Sequence, residues 1–173
     1  MIVEQDSTVD KLNQSGVNVV GKPDSPGVIV LPPLLTLGTL LAGVVLHLVW
    51  PLHLRAQFWL RTGGALTVLG SVVLMAWGRK TMVRAGTNVN PYKPSLNIVT
   101  QGPFRFTRNP LYLGNVAAYL GLTIILNMVW PLILFAPMLV VFNWGIIQRE
   151  ERYLEAKFGD GYRAYKARVR RWF

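Results

Sequence analysis

No cysteine occurs in the 173 residues, which excludes disulfides, thiolate metal sites and a cysteine nucleophile. Histidine is nearly as scarce: only His47 and His53 offer imidazole, and two histidines without neighbouring carboxylates make a poor metal site. The most telling scarcity is of acid. Of the 8 Asp and Glu residues, Glu4, Asp6, Asp10 and Asp24 precede the first apolar run, and none follows until Glu150. Glu151, Glu155 and Asp160 complete the set. Carboxylate chemistry therefore sits just after the last apolar run, unless the N-terminal stretch folds back. A Gly-x-Gly-x-x-Gly loop of the dinucleotide-binding kind is also missing.

What the chain has instead is apolar residues, 51% of the total, and a net charge of +10. A basic balance alone would fit nucleic acid. Here the basic residues avoid several long apolar stretches, so the partner they imply is the lipid bilayer and not nucleic acid. Residues 1–26 are polar, carry Gly, Ser, Pro and mixed charge, and lack apolar periodicity, which predicts a flexible tail. They also lack the basic start and early apolar run of a signal peptide. Residues 27–173 then read as a single membrane-embedded domain.

Four apolar runs predict an all-α integral membrane fold with about four transmembrane helices, over about 28–50, 58–78, 111–126 and 131–147. Pro32 and Pro33 fall near the start of the first, where missing amide donors cost least. Gly63, Gly64 and Gly70 in the second would permit close helix packing. The link between the third and fourth, Asn127-Met128-Val129-Trp130, is short enough to force an antiparallel helical hairpin. Each arm of that hairpin is slightly short for a bilayer, so local thinning or tilt is expected. Basic residues concentrate in the loop 79–109 and the tail 148–173, which places both, and both termini, on the cytoplasmic side. Loop and tail then face the same side and build one site together.

Three stretches carry chemistry. The first is Leu96, Asn97, Ile98, Val99 and the run GPFRFTRNPLYLG, from Gly102 to Gly114. Pro110 suits a first helical turn, whose amides and dipole would hold an anionic group with help from Arg105 or Arg108. The alternative for these arginines is orientation against lipid phosphates. The second is Tyr112, Asn115 and Tyr119, a polar stripe at helical spacing in an apolar span, fit for contact with an acceptor or for interhelical hydrogen bonds. The third is Glu150 and Glu151. Neighbouring residues point to different faces, so at most one is expected to meet the bundle interior. A glutamate there would orient an acceptor or take its proton; otherwise both form a solvated charged turn with Arg149 and Arg152.

In this order the segments resemble the isoprenylcysteine carboxyl methyltransferase family, which is similar in its core to phospholipid N-methyltransferases. That pattern runs through an aromatic-rich Arg-His-Pro-x-Tyr-x-Gly segment, a short helical hairpin and a Glu-Glu-x-x-Leu, Phe-Gly, Tyr-x-x-Tyr tail. Here the tail reads EERYLEAKFGDGYRAY, with Leu154, Phe158, Gly159, Tyr162 and Tyr165 in place. The upstream GTNVNPYKPSLNIVTQG, from Gly86, is similar to the bacterial branch. The resemblance implies a membrane-embedded S-adenosylmethionine-dependent methyltransferase without a Rossmann domain. Its cofactor site would use Leu96, Asn97, Ile98, Val99, Phe104, Arg105, Asn109, Pro110, Tyr112 and Glu151, with Arg108 and Glu150 catalytic. Asn115, Tyr119 and Glu150 would meet a lipophilic, membrane-associated acceptor. Two positions depart from the pattern. Asn109 replaces the family histidine, and asparagine binds but does not titrate near neutrality. Ile146 stands where the eukaryotic enzymes place an arginine that helps hold prenylcysteine, so the resemblance does not extend to that acceptor. Two other functions fit the same composition: a nicotinamide-dependent membrane reductase of the sterol-reductase type, and a non-catalytic protein that binds anionic lipid.

Overall fold

A computed structural model describes residues 24–172. Most of the expected N-terminal tail lies outside the described residues; its last part, from Asp24, runs along the bundle. Among the described residues the fold is all-helical, with α1 (Pro32–Val49), α2 (Phe58–Arg84), α3 (Pro110–Leu126) and α4 (Val129–Val141) as its apolar helices. The chain continues from α4 through a π-helical stretch, Phe142–Ile147, into α5 (Gln148–Phe158), and then forms α6 (Asp160–Arg168). Among the described residues, three helices are long and apolar enough to cross a membrane: α1, α2 and the continuous Val129–Phe158. The 17-residue α3 is apolar but shorter.

Small residues decide how α2 and α3 meet. Gly64, Ser71 and Gly78 are the buried positions of α2, seven residues apart in sequence. They face Gly114 and Gly121 of α3, so closely that a Cβ on Gly121 would lie 2.7 Å from the Gly64 carbonyl oxygen. A seven-residue repeat keeps one seam facing a partner helix. Lipid tails are as apolar as leucine, so this close approach, and not escape from water, holds the pair together. Of the glycines read from sequence, Gly64 lies in the seam, whereas Gly63 and Gly70 face open space. The apolar runs could not distinguish them because the direction of the partner helix is a tertiary fact.

The α3–α4 link turns on Asn127, which adopts a left-handed φ of 58°. The two arms are antiparallel, as Tyr112 meets Phe142 while Tyr119 stacks on Phe135. At the same end of the bundle the α1–α2 loop docks on this turn, with Val129 donating to the Leu52 carbonyl and Ala56 to the Asn127 side chain. The opposite end carries the basic loop and tail. α1 packs antiparallel on α4, Gly43 against Pro131 and Ile29 bonded to the Gly145 carbonyl at 3.2 Å.

Helical segments run past the apolar runs at two places. α2 continues to Arg84, beyond the expected boundary at 78, because Arg79, Lys80 and Met82 are good helix formers and no Gly or Pro interrupts them after hydropathy falls. After Pro137 the fourth helix loosens into its π-helical turns, which bury Phe142, Ile146 and Ile147 completely. A π-turn takes an extra residue and re-aims whatever follows. Glu150 and Glu151 follow.

Candidate active site

Glu150 and Glu151 both turn inward, against the expectation that only one would. The reason is that this end of the helix is enclosed on two sides. The start of α3 covers one, and α6 with the segment after it covers the other. Glu150 accepts the Tyr112 hydroxyl at 2.5 Å. Glu151, with only 6% of its side chain exposed, is gripped by two arginines: Arg171 at 2.6 Å and Arg108 at 3.2 Å.

Arg108 is the most unusual group in the site. Its side chain is 8% exposed, and its Nε and Nη1 are buried with no hydrogen-bond partner among the described residues. Unpaired donors of a buried cation are costly, so each calls for an acceptor, which ordered water or a bound anion can supply. The neighbouring backbone is fixed from several directions. Arg108 N–H donates to the Arg170 carbonyl, and Thr107 and the Asn109 amide both donate to the Arg171 carbonyl. Asn109 precedes Pro110, which opens α3 with no amide to satisfy.

Two narrow cavities, about 60 and 50 Å³, share Met82, Phe104, Arg108, Asn109 and Glu150 on their walls. The first is also lined by Asn97, Ile98, Val99, Glu151, Tyr162 and Tyr165. The second is lined by Pro110 and Tyr112. Burial pushes the Tyr165 phenol up to about 12, and its hydroxyl donates to the Phe104 carbonyl at 2.8 Å. Burial also raises Tyr162, with Glu151 adding to the effect. Both are therefore neutral hydroxyls at any physiological pH.

The loop wall is held by its own polar side chains. Leu96 N–H donates to Thr87, Asn97 donates to the Ala85 carbonyl, and Asn88 to the Pro94 carbonyl. Ser95 N–H reaches the Tyr153 hydroxyl of α5, which donates in turn to Asp24. One of the four N-terminal acids has thus folded back, close to the site wall but outside the cavities.

A third space opens sideways. A groove of about 800 Å³ runs between α1, α2 and α3, walled by residues such as Leu34, Val72, Met75 and Leu111, with Arg79 on its lining. Tyr112 and Asn115 line it, and Asn115 accepts from Thr36 at 3.0 Å.

Most of the residues singled out from sequence converge here. Arg108, Glu150, Glu151, Asn97, Ile98, Val99, Phe104, Asn109, Pro110 and Tyr112 line the two cavities, and Asn115 lines the groove. Leu96 is exposed on the loop, with only its backbone amide engaged inward. Arg105 is exposed and outside both cavities. Tyr119 is buried in the bundle, where its hydroxyl donates to the Pro131 carbonyl at 2.6 Å, the interhelical bond named above as its alternative. Sequence reading did not single out Met82, Tyr162, Tyr165 or Arg171 as site residues. Tyr162 and Tyr165 stood in the matched tail pattern, which was the available signal. Arg171 had none.

The phospholipid methyltransferase family matches residues 59–161, a stretch that begins with α2 and ends inside α6, so it contains every cavity residue before the final tyrosines. This chain belongs to that family. The family lies in the same superfamily as the isoprenylcysteine carboxyl methyltransferases. Membership makes the protein a membrane methyltransferase of lipid-type substrates. A Haemophilus influenzae protein described as uncharacterized is 47% identical over 62 residues, which cover 36% of this chain and 78% of that protein. No solved structure matches.

Proposed function

We propose that the protein is an integral membrane methyltransferase that uses S-adenosylmethionine to methylate an amine on a phospholipid-like acceptor. The observation that carries this reading is that a narrow cavity lined by Arg108 and Glu150 and a wide apolar groove share Tyr112, whose hydroxyl bonds Glu150. In this reading α3 is a fourth, short and tilted span, and the loop 85–109 and residues 148–172 lie on the cytoplasmic side.

The residues present suit the cofactor chemically. The free Nε and Nη1 of Arg108 would hold its carboxylate, and Phe104, Tyr162 and Tyr165 offer aromatic faces to a cation. Bound, S-adenosylmethionine supplies an electrophilic methyl carbon on a sulfonium. Cavities of about 60 and 50 Å³ are smaller than the roughly 300 Å³ of a small-molecule pocket, so the loop wall or the segment after α6 must move outward on binding.

What the protein contributes is alignment and dryness. The groove takes the acceptor's chains, and Arg79 meets its phosphate. Glu150, bonded to Tyr112 on the groove wall, attracts the ammonium and accepts the proton that must leave before nitrogen can attack. Tyr112 fixes the Glu150 rotamer through their hydrogen bond. Ile146 is fully buried among Phe142 and Ile147, so no cation stands there to hold an acceptor carboxylate. This favours an amine over a carboxylate.

The test is transfer of a labelled methyl group from S-adenosylmethionine to lipid in detergent–phospholipid micelles. Label in the amine-headgroup fraction, lost in Glu150→Gln, is the expected result. Label only in a carboxylate or thiol acceptor would overturn the acceptor assignment, and no transfer to any lipid would overturn the enzyme reading.

A further inference from the structure

Glu151 offers two oxygens, and Arg171 takes both: Nε bonds Oε1 at 3.1 Å and Nη2 bonds Oε2 at 2.6 Å. This is the planar, two-pronged pairing that guanidinium and carboxylate form best. Arg108 is left with a single, longer contact, Nη2 to Oε1 at 3.2 Å. Its Nε and Nη1 stay buried and unused. Arg171 is itself held in place. Its Nη1 donates to Asn143 Oδ1 at 3.0 Å, and its carbonyl receives Thr107 and Asn109. Arg171 lines neither of the two site cavities.

Two arginines competing for one buried carboxylate cannot both pair with it fully. Were Arg171 absent, Glu151 would be free to turn both oxygens to Arg108, and the donors that Arg108 now holds unpartnered would be consumed inside the protein. We propose that Arg171 is a positioning residue: by occupying Glu151 in two-pronged fashion, it keeps Arg108 available for the anionic end of the cofactor. The inference rests on the cofactor reading given above. It also explains why a residue with no place on the cavity wall lies so close to the site's centre. Arg171 fixes the charge balance there, two cations against Glu150 and Glu151, with the unspent hydrogen-bonding capacity left on Arg108.

The experiment is calorimetric titration of detergent-purified, full-length protein with two ligands. S-adenosylhomocysteine carries the amino-acid carboxylate; 5′-methylthioadenosine keeps the nucleoside and thioether without it. Wild-type protein should bind both, the first more tightly. Arg171→Gln should weaken S-adenosylhomocysteine by about tenfold or more, the scale of one charge-assisted hydrogen bond, and leave methylthioadenosine unchanged. Arg171→Gln combined with Glu151→Gln should restore S-adenosylhomocysteine to near the wild-type value, because the competing carboxylate has gone. A merely structural role would not produce that rescue. Should Arg171→Gln not fold, Arg171→Lys carries the same test, since it keeps the charge but loses the fork. Equal loss of both ligands, unchanged binding in the single variant, or failure of the double variant to recover would each overturn the proposal. Wild-type protein that binds neither ligand would overturn the cofactor reading itself, before any variant is compared.

Discussion

Consider a single methyl group placed in the α2–α3 seam by Gly121→Ala. Its Cβ would stand 2.7 Å from the Gly64 carbonyl oxygen, 2.8 Å from Val68 Cγ2 and 3.2 Å from the Val68 amide nitrogen. Ordinary contact begins near roughly 3.5 Å, and two of the three neighbours are backbone, which cannot rotate aside. The helices must separate by several tenths of an ångström, at about 1–3 kcal/mol for overpacking of this kind. Alanine also favours a helix over glycine by about 0.8–1 kcal/mol. A control removes that term: Gly63→Ala gains the same propensity and meets nothing within 4 Å. The difference between the two variants is therefore the overpacking alone, about 1–3 kcal/mol in favour of Gly63→Ala. Reversible unfolding in mixed micelles, followed by circular dichroism, measures it. Equal stability of the two variants, or a less stable Gly63→Ala, would refute the packing assigned to this seam.

Two further outcomes follow from individual polar contacts. Tyr119→Phe removes the bond to the Pro131 carbonyl and should cost about 0.5–1.5 kcal/mol of stability while leaving S-adenosylhomocysteine affinity unchanged by calorimetry. A large loss of affinity would return Tyr119 to the site. The Asp24–Lys157 pair should give the protein a pH signature. Its hydrogen bonds to Lys157 and then Tyr153 hold the Asp24 carboxyl below the ordinary range, and the bond to Asp24 raises Lys157. A depressed carboxyl contributes stability above its unfolded pKa, near about 3.9, and loses it as pH falls through the folded value. A raised lysine contributes below its unfolded pKa, near about 10.4, and loses it as pH rises through the folded one. The pair therefore stabilises between those limits, and Asp24→Asn should lower the neutral plateau of a melting-temperature profile while leaving its acid extreme unchanged, which flattens the acid limb. An acid limb identical to wild type would remove the pair from the stability account.

What the sequence made legible was what a bilayer imposes locally. The apolar runs overlap α1 to α4, since a span must be long and uncharged, but α2 continues to Arg84 and α4 gives way to π-helix after Val141. The distribution of acids located the carboxylate end of the site, since only four remained after the last run. Periodicity along one helix could not say which glycines face a partner, and Gly78, Gly114 and Gly121 escaped notice for that reason. The inward turn of both glutamates escaped it too, because it depends on a π-helical stretch and on cover from two separate elements. Arg171 meets Glu151 across 20 residues, and its carbonyl meets Thr107 across 64. No local pattern records such contacts. The split of the Tyr112, Asn115 and Tyr119 stripe into site wall, groove lining and bundle core likewise needed the neighbouring helices.

The central claim is that the buried cavity around Arg108 and Glu150 is a cofactor site. Calorimetric titration of S-adenosylhomocysteine into the folded wild-type protein, beside Arg108→Gln, tests it most directly. The account predicts saturable binding to wild type and a loss of about tenfold or more in the variant, whose fold is checked by its circular dichroism. Well-folded wild-type protein that does not bind, or a variant that binds as tightly, would contradict it.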